Sequence, residues 1–202
     1  VYRRDRSGSW HRVRNGCIHV IKNRNGVKKN KLLNLIMESI ICTKGEHMIL
    51  YHSRRQIVEY PEIRKAKYNK DFYFGFYCTS CEEQAKRWAA RYGVKGYLNK
   101  YEYEPDDRLN CKVFTEMTEE WLDFIVACRS GKSHKYDIVE GPMADDTIYN
   151  YVQNYMDGKI SRTAFWELAK FKDPTHQISF HTVSALDTLK FIGSEVVYGN
   201  KE

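Results

Sequence analysis

The sequence predicts an α+β domain that follows a basic leader. Short apolar or aromatic runs alternate with amphipathic helical segments in no regular order, which favours α+β over a regular βαβ sheet. Of the 202 residues, 42% are hydrophobic, enough for one core, while the length is too small for two large ones. We therefore divide the chain into a leader, residues 1–47, and a domain, residues 48–202.

The strands of the domain are predicted from apolar or aromatic runs and from alternation. The first begins at Met48 and ends at His52, and a charged loop follows up to residue 70. The second is the aromatic run 72–77, in which Gly75 indicates a bend or a close backbone approach. The remaining strands are predicted at 96–103, 111–114, 137–139, 177–180 and 191–198.

The helices are predicted from capping signals and helical spacing. Ser80 and Glu83 fit a capping box at the start of a helix from about 81 to 92. A second helix begins at Thr118, continues with acidic residues that complement the helix dipole, and is stopped by Gly131. Three further helices are predicted at 145–156, 161–171 and 184–189.

The positive charge of the chain is concentrated in the leader. The whole chain has a net charge of +7; residues 1–47 hold 11 Lys/Arg and 3 Asp/Glu, a net of +8, so residues 48–202 sum to −1. One interpretation is a basic arm that binds RNA or DNA through phosphates. The other is a leader that is disordered or not natively translated. Residues 44–46 (KGE) can be encoded by a purine-rich ribosome-binding sequence a few nucleotides ahead of a start codon at Met48.

No segment of the sequence is predicted to cross a membrane or to direct secretion. The longest apolar run, at 32–36, is interrupted and far shorter than the ~20 residues that span a bilayer. The N-terminal residues lack the apolar stretch and cleavage site of a signal peptide. We therefore expect a cytoplasmic protein whose six cysteines are free thiols. Cys78 and Cys81 lack a second Cys/His pair at matching spacing, so no metal site is predicted.

Three motifs in fixed order distinguish the domain. They are LYH at 50–52, DFYFGFYCT at 71–79 and QISFHT at 177–182, with lesser matches at 120–124, 136–139 and 141–147. Together they resemble the ADP-ribosyltransferase superfamily, and most closely a bacterial family of uncharacterised proteins placed in it. The resemblance spans nearly all of residues 48–192. It implies a split antiparallel β-sheet core with flanking helices.

The resemblance implies a site that binds NAD as co-substrate. The positions similar to the superfamily's catalytic residues are His52, Tyr77 and Gln177. His52 would hydrogen-bond a ribose hydroxyl, the backbone beside it would hold the nicotinamide carboxamide, and Tyr77 would stack on the nicotinamide ring. The implied cofactor-binding residues are Tyr51, His52, Ser53, Gly75, Phe76, Tyr77 and Thr79. Taken without the resemblance, Phe72, Phe74 and Phe76 are predicted to be core residues.

The sequence departs from the related families at several positions of this site. Gln177 stands where many relatives have Glu, and a neutral amide can position a ribose but cannot counter an oxocarbenium charge. Asp145 or Asp146 is the expected source of an acid, although an acid pair at a helix start is also a structural feature. Ser53 and Tyr73 stand where the related family has glycine, and a side chain at 53 would narrow the approach to the pocket backbone. Arg54 could favour a pyrophosphate.

Three functions are carried forward from the sequence. The first is a mono-ADP-ribosyltransferase-like, toxin-like protein that transfers ADP-ribose from NAD to an unknown macromolecular or small acceptor, with a small inhibitory partner protein as a further expectation. The second, motivated by Gln177 and Ser53, is a catalytically weak or inactive NAD or nucleotide-binding module of the same fold. The third is nucleic-acid binding through the leader. No membrane partner and no metal are expected.

Overall fold

The computed structural model describes residues 2–4, 10–14, 17–19, 48–65, 70–91, 93, 95–144, 146–170 and 175–199. These residues form a mixed α+β fold, as predicted. In the leader, three strands form an antiparallel sheet of their own in the order β1-β2-β3. They are β1 (Tyr2–Arg4), β2 (Trp10–Arg14) and β3 (Cys17–His19). The rest of the leader lies outside the described residues, and whether it is natively translated stays a prediction.

The first sheet of the domain has three antiparallel strands in the order β10-β6-β4. They are β4 (Met48–Arg54), β6 (Gly96–Tyr103) and β10 (Leu189–Val197). All three were predicted from alternation or apolar runs, and the bounds of β6 are those predicted. The pairing of β10 with β6 is irregular between Phe191 and Gly193, where Gly193 has a φ of 151°.

The second sheet has four strands in the order β5-β9-β8-β7. They are β5 (Phe76–Cys78), β7 (Cys111–Val113), β8 (Ile138–Pro142) and β9 (His176–Phe180). The pairs β5–β9 and β8–β9 are antiparallel, whereas β7 and β8 are parallel. The parallel pair β7–β8 is a departure from the split antiparallel core that the resemblance implies, whereas the other described strand pairs of the domain are antiparallel. Two parallel strands need a crossover connection, and the helix α2 (Glu119–Arg129) lies in the chain between them.

Within the described ranges, a pair of backbone hydrogen bonds joins the two sheets, between β4 and the residue that follows β5. Tyr51 N donates to Thr79 O across 2.9 Å, and Thr79 N donates to Tyr51 O across 3.0 Å. Beyond this bridge β4 continues beside β6, and β5 continues beside β9. Residues 52–54 of β4 therefore lie where the two sheets separate.

The described helices match the predicted ones to within a few residues at each end. Besides α2 they are α1 (Glu82–Ala90), α3 (Asp146–Met156), α4 (Arg162–Ala169) and α5 (Val183–Leu186). The helix α2 begins directly after Thr118, close to the predicted start, and Thr118 caps it, because its side chain accepts a hydrogen bond from Trp121 N. The capping box at Ser80 is wrong: the N-cap of α1 is Cys81, whose backbone N–H donates to the Thr79 hydroxyl.

The core has two parts, one on each side of the four-stranded sheet. Both sheets contribute to the first part, which includes Leu50, Tyr101 and Phe180. The second part lies between the four-stranded sheet and the helices and includes Trp121 and Phe165. Because side chains alternate along a strand, β5 sends Phe76 to the first part and Tyr77 toward the second. Phe72 and Phe76 are core residues, as predicted, whereas Phe74 is only partly buried and belongs to neither part of the core.

Two cysteines correct the expectation that the chain contains no disulfide. Cys81 and Cys111 each take part in a disulfide, whereas Cys78 and Cys128 are free and buried. Burial raises the pKa of Cys128 to about 12 and that of Cys78 well above its usual range. The expectation was drawn from a reducing compartment, whereas a disulfide also depends on which side chains folding brings together. Within the described ranges, no group of three or more His, Cys, Asp or Glu side chains could hold a metal ion.

Among the described residues, no helix combines the length and the apolar character that crossing a bilayer requires.

Candidate functional site

His52 lies where the two sheets separate, with its ring against Phe76. The ring centroids are 4.2 Å apart, and Nδ1 donates a hydrogen bond to Tyr77 O across 2.7 Å. The pKa of His52 is lowered to about 4, mainly by desolvation and also by the nearby charges of Lys70 and Arg54, against the opposing effect of the hydrogen bond to the Tyr77 carbonyl. His52 is therefore neutral at pH 7, with its proton on Nδ1 and a lone pair on Nε2.

The Nε2 atom of His52 is buried and has no hydrogen-bond partner within the part of the chain that the structure describes. Leaving a buried acceptor unsatisfied costs about 1 to 3 kcal/mol. Because Nδ1 is already the donor, Nε2 accepts only. A hydroxyl or an N–H group of a ligand is the chemical partner that this atom requires.

Two cations lie close enough to His52 to affect its protonation. They are Arg54 at the end of β4 and Lys70 just before β5. Neither forms a salt bridge with an acidic side chain in the described ranges. The pKa of Lys70 is lowered by desolvation and then by the charge of Arg54, against the opposing charge of Asp71. Arg54 was predicted as an anion-binding residue; Lys70 was not, because nothing in its local sequence distinguishes it from a surface lysine.

The aromatic run before β5 forms a turn and not the predicted strand. Only Phe76–Cys78 is strand. Tyr73 N donates to Lys70 O across 3.0 Å, and Tyr73 has a φ of 70°. This left-handed conformation is one that glycine adopts at little cost, and the resemblance implies glycine at this position. Here a tyrosine adopts it.

Tyr77 closes this turn with its hydroxyl group. The hydroxyl donates to Tyr73 O across 2.6 Å and accepts from Phe72 N across 3.1 Å. Burial, followed by the charge of Asp71, raises the pKa of Tyr77 well above its usual range, so the phenol stays protonated. Lys70 Nζ lies over the ring, 4.4 Å from its centroid. Backbone groups thus fix the phenol, and the Lys70 ammonium lies over its ring.

Three histidines donate to backbone carbonyls along this segment. His134 Nε2 bonds to Phe72 O at 3.1 Å, and His181 Nδ1 bonds to Phe74 O at 2.8 Å, while His52 Nδ1 holds the carbonyl of residue 77. Gly75 allows the contact with His181, because a Cβ at Gly75 would lie 2.8 Å from His181 Cε1. This is the close approach that was predicted for Gly75. The contacts of His134 and His181 were missed, since each joins residues distant in sequence.

Gln177 lies beside an acid, but the acid is Asp71. Gln177 Nε2 donates to Asp71 Oδ2 across 3.3 Å. Asp71 Oδ1 also accepts from Arg129 Nε at 2.9 Å and Arg129 Nη2 at 2.6 Å, and Oδ2 accepts from Ala144 N at 3.1 Å. Gln177, Asp71 and the Arg129 side chain are buried.

The side chains of the two acids named from the sequence, Asp145 and Asp146, lie outside the described residues. Asp145 lies outside the described residues. Asp146 begins α3, and its side chain is likewise outside them.

Three of the implied cofactor-binding residues direct their side chains to other partners. Tyr51 donates its hydroxyl to Glu82 Oε2 across 3.0 Å, and Ser53 Oγ donates to Ala85 O. Thr79 Oγ1 donates to Gln84 Oε1 across 2.7 Å. All three partners belong to α1. The structure does not bring these side chains together with that of His52, which points to the opposite face of β4 from Tyr51 and Ser53.

The three residues named from the sequence as catalytic, His52, Tyr77 and Gln177, are connected through backbone groups and Asp71 and not by direct side-chain contacts. His52 contacts the Tyr77 carbonyl, and Tyr77 and Gln177 lie on the other face of the four-stranded sheet. Asp71, one residue before Phe72, links the turn at Tyr77 to Gln177. The three side chains therefore surround the segment 71–77 and do not meet one another directly.

Asn99 on β6 positions the chain that leaves His52. Its Nδ2 donates to His52 O across 3.2 Å, and its Oδ1 accepts from Val58 N across 2.9 Å. Asn99 is fully buried. It ties the loop after β4 to the sheet, and no sequence signal predicted it, because an asparagine within a strand has no local motif.

The fold and the site define an α+β protein in which two cations and a neutral histidine with a buried Nε2 lie where two sheets separate. The chain belongs to the DUF3990 family, described as a protein of unknown function, whose family model matches residues 48–191. No curated protein matches the chain. The family match confirms the expectation of an uncharacterised family, and the resemblance to ADP-ribosyltransferases stays a prediction.

Proposed function

We propose that this chain binds NAD at His52 and transfers ADP-ribose from NAD to an acceptor. One observation carries the proposal: His52 Nε2 is a buried acceptor without a partner in the described ranges, and Arg54 and Lys70 lie close to it. A dinucleotide has both groups that such a site needs, because it combines ribose hydroxyls that donate with a pyrophosphate that carries negative charge.

The individual contacts follow from the chemistry of the side chains. A ribose hydroxyl would donate to His52 Nε2, since the Nδ1 proton is held by Tyr77 O. Arg54 and Lys70 would contact the pyrophosphate, for which guanidinium and ammonium groups are the common partners. The nicotinamide ring would lie against Tyr77, whose phenol is fixed at its hydroxyl end.

The proposed reaction exchanges one bond at the ribose. The bond between ribose C1 and the nicotinamide nitrogen breaks, and its electron pair stays with nicotinamide, whose ring thereby loses its positive charge. The ribose passes through an oxocarbenium-like state. A nucleophilic group of the acceptor then bonds to C1 and releases a proton. Gln177, buried and held by Asp71 on the other face of the four-stranded sheet from His52, is proposed to keep the segment 71–77 in place and not to contact this ribose.

A second candidate function is NAD or nucleotide binding without transfer, and the pairing of Asp71 favours it. Asp71 accepts hydrogen bonds from Arg129, Ala144 and Gln177. A carboxylate so occupied is a poor base, and the amide of Gln177 carries no charge to stabilise an oxocarbenium ion. The two candidates share the same binding site and differ only in turnover.

Two substitutions of His52 distinguish the roles of its two nitrogen atoms. In His52→Asn the amide nitrogen can take the place of Nδ1 and still donate to Tyr77 O, while the Nε2 acceptor is lost. In His52→Gln the side chain reaches the place of Nε2 and loses the donor to Tyr77. We expect His52→Asn to bind NAD at least tenfold more weakly at nearly unchanged melting temperature, and His52→Gln to lose mainly stability.

The test uses the full chain, calorimetry with NAD, and labelled NAD incubated with cell lysate. Labelled product from the wild type, lost in His52→Asn, supports transfer. Binding without product supports the binding module. Absence of NAD binding by the wild type, or wild-type affinity in His52→Asn, rejects the proposed site.

A further inference from the structure

Lys70 is held over the ring of Tyr77 by the same turn that fixes the phenol. Its ammonium lies 4.4 Å from the ring centroid, well within the ~6 Å over which a cation is attracted to an aromatic face. The carbonyl of Lys70 accepts from Tyr73 N, and the carbonyl of Tyr73 accepts from the Tyr77 hydroxyl. The cation and the ring therefore belong to one structural unit.

Tyr77 has little other surface to offer a ligand. Its hydroxyl is bonded to two backbone groups of the turn, and its ring packs against the second part of the core. His181 approaches it edge to face, with the ring centroids 6.4 Å apart. A planar ligand ring that stacks on Tyr77 must use the side that Lys70 covers.

The ring that the proposed function places there is itself a cation. The nicotinamide ring of oxidised NAD carries a positive charge, so it competes with the Lys70 ammonium for one aromatic face and is repelled by it. A ligand that has the pyrophosphate and ribose but no cationic ring meets no such competition. For that ligand the charges of Lys70 and Arg54 are purely attractive.

We propose that Lys70 is a specificity-determining residue that makes this site favour a nucleoside diphosphate sugar without a cationic ring, of the ADP-ribose class, over oxidised NAD. The inference rests on the proposed function, since it assumes that the nucleotide binds at His52. NAD binding then requires Lys70 to leave the Tyr77 ring, and the displaced ammonium can move toward the pyrophosphate. NAD is therefore bound more weakly than ADP-ribose, because part of its binding free energy is used to displace Lys70 from the ring.

The experiment compares the dissociation constants of ADP-ribose and NAD for the full chain by calorimetry. We expect the wild type to bind ADP-ribose about three- to tenfold more tightly than NAD. Lys70→Met should weaken ADP-ribose about tenfold, through loss of a phosphate contact, and leave NAD unchanged or tighter, so the preference disappears or inverts. Lys70→Arg keeps both the charge and the ring contact and should keep the wild-type preference.

Lys95→Met is the matched control, because Lys95 also places its ammonium over a tyrosine ring, 4.9 Å from the centroid of Tyr97. It should leave both affinities unchanged. Binding of both ligands with the same preference in the wild type and in Lys70→Met would overturn the inference and leave the proposed function standing. Failure of the wild type to bind either ligand would remove both.

Discussion

Gln177 and Asp71 are joined by a buried hydrogen bond of 3.3 Å, in which the amide of Gln177 donates to the carboxylate. The amide of Gln177 supplies one of the donors that Asp71 accepts from, together with Arg129 and Ala144. A second carboxylate at position 177 would instead face Asp71 without a proton between them. The neutral residue at 177 is thus matched to the acid at 71. A substitution at one position has to be considered together with the other.

Gln177→Glu, which introduces the acid that the resemblance to ADP-ribosyltransferases implies at this position, should therefore destabilise the protein. Two buried carboxylates in contact repel each other, and we expect a loss of about 3 kcal/mol in the free energy of unfolding, with no gain in transfer. The double variant Asp71→Asn with Gln177→Glu keeps one carboxylate beside Arg129 and should recover at least half of that loss. Urea unfolding at pH 7 measures both. Wild-type stability in the single variant would contradict the pairing.

Removal of the cation in this network should be much more costly than removal of a surface cation. Arg129→Met leaves the carboxylate of Asp71 buried without its counter-charge, and breaking a buried pair costs about 3 to 5 kcal/mol. The matched control is Arg162→Met. Arg162 pairs with Glu119 and Asp123 at the surface, where such pairs contribute about 1 kcal/mol or less. Equal effects of the two substitutions on urea unfolding would show that the Asp71 pair is not a buried support.

The burial of neutral histidines predicts that stability falls in mild acid. Desolvation lowers the pKa of both His52 and His181 to about 4, from 6.5 for the unfolded chain. The unfolded state then binds more protons between these values, so the free energy of unfolding declines as the pH falls below 6.5 and levels off below about 4. Each group contributes up to about 3 kcal/mol to this decline.

His181→Asn isolates one of these contributions. The surroundings of His181 act in opposite directions, since the ring of His134 lies 4.4 Å away and lowers its pKa while Asp137 raises it. The variant keeps a donor toward Phe74 O but loses the Nε2 contact with Ser179, so it should be less stable at pH 7.5. It should lose less further stability between pH 7.5 and pH 5 than the wild type. Urea unfolding at several pH values gives the two slopes. Parallel slopes would contradict the assignment.

Regular elements of the fold could be predicted because their signals are local. The strand Gly96–Tyr103 has alternation along its whole length, and the helix that starts after Thr118 has a capping hydroxyl and an acidic first turn. The turn before β5 had no such signal. Its shape depends on the Tyr77 hydroxyl and on a tyrosine with positive φ, whereas aromatic residues in a run favour a strand.

The same distinction applies to the candidate site: residues in local motifs could be named from the sequence, and contacts between distant segments could not. His52 and Tyr77 lie in motifs, and the structure joins them through a hydrogen bond. The acid beside Gln177 was sought at Asp145 and Asp146, whereas the partner found is Asp71, which is 106 residues away in sequence. Spacing along one chain contains no information about such a pair unless the fold is known.

Ser53→Gly tests whether the residue after His52 restricts the site. The sequence suggested that a side chain at 53 narrows the approach to the pocket backbone, but Ser53 is buried with its hydroxyl donating to Ala85 O, on the opposite face of β4 from His52. Removal of the hydroxyl should cost about 1 to 2 kcal/mol, because the Ala85 carbonyl loses a donor and glycine is unfavourable in a strand. NAD affinity should stay within about twofold of the wild type, since no atom on the His52 side is removed.

Ser53→Ala separates the two effects on stability, because it loses the hydrogen bond and keeps the Cβ. Calorimetry and urea unfolding on the three proteins decide the matter: a large gain of NAD affinity in Ser53→Gly that Ser53→Ala does not share would mean that the side chain at 53 restricts the pocket after all.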